Sequence, residues 1–312
     1  MAEHPKTEVS VPTAGEGGQY RCGFVALLGR PNVGKSTLLN TLVGSPIAIV
    51  SPKPQTTRTR LVGIKTLDHA QLLFIDTPGL HTKTPSLLNQ RMVDVAFSAV
   101  SETDVVLFVL DAERGVVPAD HAIAQRLAQA GVSVITVLNK IDRVSKSALV
   151  PLLERATTLL PQSEVIPVSA LTGENLQELM RNVIALLPEG PALYPSDELT
   201  DQSERVLAQE MIREQVFRQT KQEVPYATGV LVEEFQEKPE KRVLVISAVI
   251  FVERPSQRAI LIGRRGARLK EIGRAARQRL EVFFDCKVFL ELFVKVAKGW
   301  TNSPLRLRDM GL

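Results

Sequence analysis

Cysteine is scarce in this chain: only Cys22 and Cys286 occur in 312 residues, and they lie far apart. That excludes a disulfide framework and gives no metal-ligand spacing. Histidine is equally sparse, with His4, His69, His81 and His121 scattered along the sequence, so no histidine metal site is expected. Long hydrophobic runs are also missing. The longest, 105–110 and 243–252, fall far short of the roughly 20 residues that cross a bilayer. The first twenty residues are polar, rich in Gly, Pro and Thr, and lack the apolar core of a secretory signal. They read as a flexible tail over 1–20 on a protein expected in the cytosol.

What the chain does have is enough length and enough apolar content, 44%, for two ordinary domains with separate cores. Its net charge of +4 is unevenly spread. Residues 1–204 carry 17 Lys/Arg against 21 Asp/Glu, a net −4, whereas residues 205–312 carry 21 against 13, a net +8. The C-terminal third is therefore the part that faces a polyanion.

Short apolar runs alternate with helix-length amphipathic stretches from residue 23 onward, the pattern of βα units around a mostly parallel sheet. Strands are expected at 24–28, 71–76, 105–111, 134–139 and 165–168. A proline-rich stretch, PEGPALYP, ends this region. The domain organisation expected is an α/β domain over 21–187, a linker over 188–204 and an α+β domain over 205–312. In the last, a helix near 203–221, strands at 228–235 and 242–252, a basic helix at 267–284 and a final strand at 287–296 are expected.

The carboxyl ends of the predicted α/β strands carry the chemistry, where open sheets of this kind bind ligands. Gly29, Arg30, Pro31, Asn32, Val33, Gly34, Lys35 and Ser36 match the phosphate-binding pattern G-x-x-x-x-G-K-[ST], with Thr37 opening the following helix. Glycines let main-chain N–H groups wrap phosphates, Lys35 reaches the β and γ oxygens, and Ser36 offers a hydroxyl to Mg²⁺. About forty residues on, Asp76-Thr77-Pro78-Gly79 supplies a carboxylate for Mg²⁺ and an N–H that can sense a γ-phosphate. Asn139-Lys140-Ile141-Asp142 follows another strand. The Asp142 carboxylate can accept the paired N–H donors of guanine, a pair that adenine lacks, and the wrong base would leave that charge unpaired. Ser169 and Ala170, after the last strand, would complete the purine pocket through a main-chain N–H. GTP is the nucleotide this ordered set implies.

In the basic third, Ile262-Gly263-Arg264-Arg265-Gly266, followed by Arg268 and Lys270 on a helix, fits the I-G-x-x-G turn of KH domains. The turn lets a single-stranded nucleic-acid backbone approach without Cβ obstruction while cations neutralise phosphate. Between 254 and 287 there are ten Lys/Arg and three Asp/Glu. The order helix, two strands, helical turn, helix, strand is that of a type II KH domain.

Together, GRPNVGKST, SPKPQTTR, DTPGL, NKID and GRRGARLKEIG, with LELFVKVAKGW near the end, resemble the Era family of bacterial ribosome-assembly GTPases over nearly the whole chain after residue 21. The resemblance implies a Mg²⁺-dependent GTPase that binds the 3′ end of 16S rRNA and acts as an assembly factor for the small (30S) ribosomal subunit. It is expected to be monomeric and not to bind DNA. Peripheral association with the inner face of the cell membrane is kept among the expectations. The resemblance also adds a switch loop, with Thr57 the Mg²⁺ ligand and Thr56 in reserve. It makes 258–263 a short helix where apolar content alone suggests a strand. Leu80 stands where many GTPases have a water-orienting glutamine, so Lys35, Thr57, Gly79 and Asn32 are the residues expected to act in hydrolysis. Asn32 resembles an asparagine that holds potassium in related GTPases. An RNA chaperone with a vestigial nucleotide site and a membrane or cell-cycle signalling GTPase are the alternatives.

Overall fold

A computed structural model describes residues 19–51, 53, 57, 58, 60–79, 94 and 96–309. The chain divides into two compact units, with the main boundary between Asp201 and Gln202.

The first unit is a six-stranded sheet. Its strands are β1 (Arg21–Leu28), β2 (Leu61–Leu67), β3 (Ala70–Asp76), β4 (Val105–Asp111), β5 (Ser133–Asn139) and β6 (Glu164–Val168), in the order β2-β3-β1-β4-β5-β6. All neighbours are parallel except β2, which returns antiparallel to β3. Every residue of β3 and β4 is buried, as expected of strands covered on both faces. The helices are α1 (Lys35–Val43), α2 (Pro118–Gln129), α3 (Lys146–Leu159) and α4 (Leu176–Leu186), with a further helical stretch at 96–101. Ala26, Leu28, Val106, Phe108 and Leu110 turn to one side, against Ala96, Ile123, Leu127 and Ala156. Alternation sends Val25 and Leu27 to the other side. This is the mostly parallel α/β sheet expected. Strand β2 is an addition, since no strand was expected there.

Register lines up the chemistry. Leu27 pairs with Asp76, Asp111 with Asn139, and Asn139 with Val168, so the residues that end β3, β4, β5 and β6 share one edge.

The segment expected as a linker is bound to this sheet. Pro188 O accepts from Cys22 N (3.1 Å), and Leu199 O accepts from Ile64 N (2.8 Å). Between them the fully buried Gln71 accepts Leu193 N and Tyr194 N through Oε1 and donates through Nε2 to Tyr194 O. Thr200 makes an antiparallel bridge to Gly63 of β2. Main-chain polar groups here find partners in the sheet rather than in water, which is why residues 188–200 belong to the first unit.

In the second unit, α5 (Glu204–Gln219) precedes β7 (Thr228–Lys238) and β8 (Val243–Val252). Then come α6 (Pro255–Ile262), α7 (Ala267–Phe284), β9 (Lys287–Val296) and α8 (Pro304–Asp309). The sheet order is β7-β8-β9; β7 and β8 are antiparallel, β8 and β9 parallel. Its core sets Met211, Ile212 and Val216 of α5, Leu261 of α6 and Ile272, Ala276 and Leu280 of α7 against Val230, Leu244, Ile246, Ile250 and Val288. The spacing 272, 276, 280 is one helical face, which turns the Arg- and Lys-rich remainder outward. Residues 258–262 are helical, as the family resemblance implied. Among the described residues no helix is long and apolar enough to cross a membrane.

Candidate functional site

The phosphate loop runs from β1 into α1. Gly29, Asn32 and Gly34 have φ of 155°, 64° and 104°. Gly34 has no alternative: a Cβ there would lie 2.2 Å from Asn139 Nδ2. Lys35 is buried and donates to Gly29 O (3.1 Å) and Arg30 O (3.0 Å). Burial lowers its pKa to about 8, against the pull of Asp76 in the other direction.

Three oxygens converge beside it. Ser36 Oγ donates to Asp76 Oδ2 (2.7 Å), Thr57 Oγ1 donates to the same oxygen (2.8 Å), and the two hydroxyls lie 3.1 Å apart. Asp76 is fully buried and its Oδ1 has no hydrogen-bond partner. Burial raises its pKa, with Lys35 and the two hydroxyls pulling it back down. Two hydroxyl oxygens beside a buried carboxylate that keeps one oxygen unpartnered suit a small divalent cation, so Ser36, Thr57 and Asp76 fit Mg²⁺. Thr77 Oγ1 donates to Leu27 O (2.7 Å), Pro78 is buried, and Gly79 lies against the main chain of Pro31.

The purine end is assembled by side chains. Asn139 Nδ2 donates to Val33 O (2.8 Å), and its Oδ1 accepts Ala170 N (3.0 Å). The Ala170 N–H expected to meet a guanine carbonyl is thus already engaged, and a bound base would share it. Ser169 Oγ donates to Asp142 Oδ1 (2.6 Å), which fixes the carboxylate that would read the base. Ile141 is buried in the core. Thr41 on α1 ties the two loops, its hydroxyl lying 2.9 Å from Thr37 O and 2.8 Å from Ala170 O.

The structure therefore brings together the loop 29–37, residues 76–79, 139–142 and 169–170, with Thr57 beside them. Thr56 and Leu80 lie outside the described residues. Sequence reasoning missed Asp111 and Asp120. Asp111 Oδ2 meets Lys140 Nζ (2.5 Å), and Asp120 Oδ1 meets Arg30 Nε (2.6 Å). Asp111 had one signal, its position at the end of a predicted strand.

In the second unit the GXXG turn joins α6 to α7. Gly263 has φ 71°, and a Cβ on it would lie 2.9 Å from Arg268 Cβ. Arg264, Arg265, Arg268 and Lys270 are exposed, while Ile262 and Gly266 are half-buried. Arg268 Nη1 donates to Ile260 O (3.0 Å) and so closes the turn. Arg264 and Arg265 are exposed in this turn, and a Cβ built on Gly266 would meet nothing within 4 Å.

Two family models match the chain: a 50S ribosome-binding GTPase model over residues 24–140 and a KH domain model over 223–301. Among curated relatives, GTPase Era of Geotalea daltonii is 49% identical over 293 residues, 94% of this chain and 98% of that one. GTPase Era of Pseudomonas aeruginosa is 46% identical, covering 93% and 95%. A crystal structure of Era with MgGDPNP and nucleotides 1506–1542 of 16S ribosomal RNA superposes with a TM-score of 0.91 at 41% identity, covering 94% of this chain and 99% of that one. A single-residue variant of Aquifex aeolicus Era bound to GDP·AlF4⁻ gives 0.90 at 41%, covering 93% and 99%. With both units matched along nearly their whole length, the chain belongs to the Era family of GTPases.

Proposed function

We propose that the protein binds and hydrolyses GTP in its first unit and uses that cycle to time the binding of the 3′ end of 16S rRNA by its second, as an assembly factor for the small ribosomal subunit. The observation that carries the reading is the convergence of the Ser36 and Thr57 hydroxyls on Oδ2 of the buried Asp76, whose other oxygen has no hydrogen-bond partner, beside the lysine of the phosphate loop. The RNA half is supported by the exposed arginines of the GXXG turn and by the relative crystallised with a 16S rRNA segment.

Nucleotide phosphates would lie on the N–H groups of residues 29–36. Lys35 would exchange two neutral carbonyl partners in its own loop for phosphate oxygens. Asp142, oriented by Ser169, would accept the guanine N–H pair, while Asn139 holds the phosphate loop and the purine loop at a fixed distance. Ser36, Thr57 and Asp76 would hold Mg²⁺, which would supply positive charge against the phosphate oxygens. Gly79 would offer its N–H to the γ-phosphate. Because the carbonyl of Asn32 is taken by Lys140, a potassium ion at this loop would be held by the side-chain amide.

One experiment tests both halves: single-turnover GTP hydrolysis with and without a short single-stranded RNA of the 16S 3′ sequence, in potassium and in sodium at equal ionic strength. RNA-stimulated release of phosphate, faster in potassium, is expected. Hydrolysis insensitive to the RNA would sink the coupling, equal rates in the two salts would remove the potassium ion, and no hydrolysis would leave an RNA chaperone.

A further inference from the structure

Two buried carboxylates on the connection between β4 and α2 take no part in the function proposed so far. Asp111 closes β4 and is 1% exposed. Its Oδ1 accepts the N–H groups of Glu113 (3.0 Å) and Arg114 (3.3 Å), which leaves Oδ2 for Lys140 Nζ at 2.5 Å. Asp120, in the first turn of α2, is fully buried. Its Oδ2 accepts Val117 N (3.0 Å) and its Oδ1 meets Arg30 Nε at 2.6 Å.

Both cations reach the phosphate loop. Arg30 is part of it, and Lys140 donates its other bond to Asn32 O at 2.6 Å. The ten-residue connection 111–120 therefore grips the loop at two points, on either side of Pro31. What it grips is strained: Asn32 has φ 64° and Lys140 itself φ 70°, the left-handed region that non-glycine residues occupy at a cost. A buried ion pair is a poor source of net stability, because desolvation offsets most of the attraction. Two such pairs converging on one loop are better explained by the conformation they enforce.

We propose that Asp111 is a positioning residue for nucleotide binding. It orients the Lys140 ammonium so that this group pins the Asn32 carbonyl and holds the phosphate loop open for phosphates. Asp120 makes a second hold through Arg30. The inference rests on the nucleotide site proposed above and deepens it: neither carboxylate touches nucleotide, and both act through cations that line the loop.

The test is a double-mutant cycle read by titration with fluorescently labelled GDP and GTP, run beside thermal unfolding of the nucleotide-free protein. Asp111→Asn keeps an oxygen for the Glu113 and Arg114 N–H groups and removes only the charge opposite Lys140. It should weaken both nucleotides about tenfold. Lys140→Met should weaken them as well, and adding Asp111→Asn to it should weaken them no further. Asp120→Asn and Arg30→Met form the second cycle, should behave alike, and decide the question if the Asp111 variant does not fold. If either carboxylate variant binds within about twofold of wild type, or weakens its partner variant by the same factor as wild type, the proposal fails. A purely structural role would produce that additivity together with a fall in unfolding temperature. A wild-type protein that binds no labelled nucleotide would instead overturn the site on which this rests.

Discussion

In the nucleotide-binding unit the groups proposed to work have fixed partners: Lys35, Asp76, Asp111 and Asn139 are each at most 6% exposed and held by named atoms, and the exposed Asp142 is held by Ser169. In the KH unit the groups proposed to meet RNA, Arg264, Arg265, Arg268 and Lys270, stand in solvent on a turn whose shape is set by two glycines. A buried polar site works through identity, since one exchanged donor leaves an unpaired group in low dielectric. An exposed basic site works through sum of charge, so each cation counts for a similar fraction.

Asp142→Asn should have the largest effect, because Asp142, exposed at the surface of its loop, would be covered by the base it reads. Exchanging an acceptor pair for an acceptor and a donor should lower GTP affinity by one to several kcal/mol, roughly, and transfer preference to xanthosine nucleotides. Competition between GTP and XTP for the variant checks it, and unchanged preference for GTP would remove Asp142 from base recognition. Arg264→Asp with Arg265→Asp should be graded instead. RNA affinity should fall and the slope of log affinity against log salt should flatten by about two, with GTP binding intact. Filter binding across a salt series measures this; an unchanged slope would make the basic stretch a solvated helix face.

The smallest effect sharpens the contrast through pH. Burial holds Lys35 at a pKa of about 8 in the empty protein, and nucleotide phosphates need its ammonium. Below pH 8 the lysine is already charged and affinity should be flat. Above it, binding must take up a proton, and affinity should fall by up to about tenfold per pH unit. Stability of the empty protein should move oppositely. The unfolded chain holds this proton up to its ordinary pKa, so the folded form gains as pH rises from 8. Calorimetry at pH 8.5 to 9 in buffers of different ionisation enthalpy would reveal the proton, and a buffer-independent heat would exclude it.

The same difference governs what could be read from the residues. The phosphate loop, Asp76 and the 139–142 and 169–170 stretches were legible because each needs fixed residue types at fixed offsets beside a strand. The strands that carry them were legible within a few residues, being continuous apolar runs. Strand β2 was not, because Gly63, Lys65 and Thr66 interrupt both alternation and apolar continuity. Asp111 and Asp120 look like ordinary acidic residues around a surface turn, and it is the register of β4 with β5, which pairs Asp111 with Asn139, that puts the first within reach of Lys140. The KH turn was legible by its glycines, its cations by charge asymmetry alone. The short helix α6 came from the family resemblance, since an apolar run of that length suits either element.

Residues 188–200 were misread for a further reason: prolines and glycines look like a flexible spacer wherever they fall, yet Gln71 secures this segment from inside the sheet. The bond from Ile64 to Leu199 and the bridge from Gly63 to Thr200 give β2 a neighbour on the side where the sheet would otherwise end. An unclosed strand margin is a template for a foreign strand and hence for aggregation. Here the departing chain covers the middle of that margin, at Gly63 and Ile64. A protein cut after residue 187 would keep every nucleotide motif and lose its protection against self-pairing.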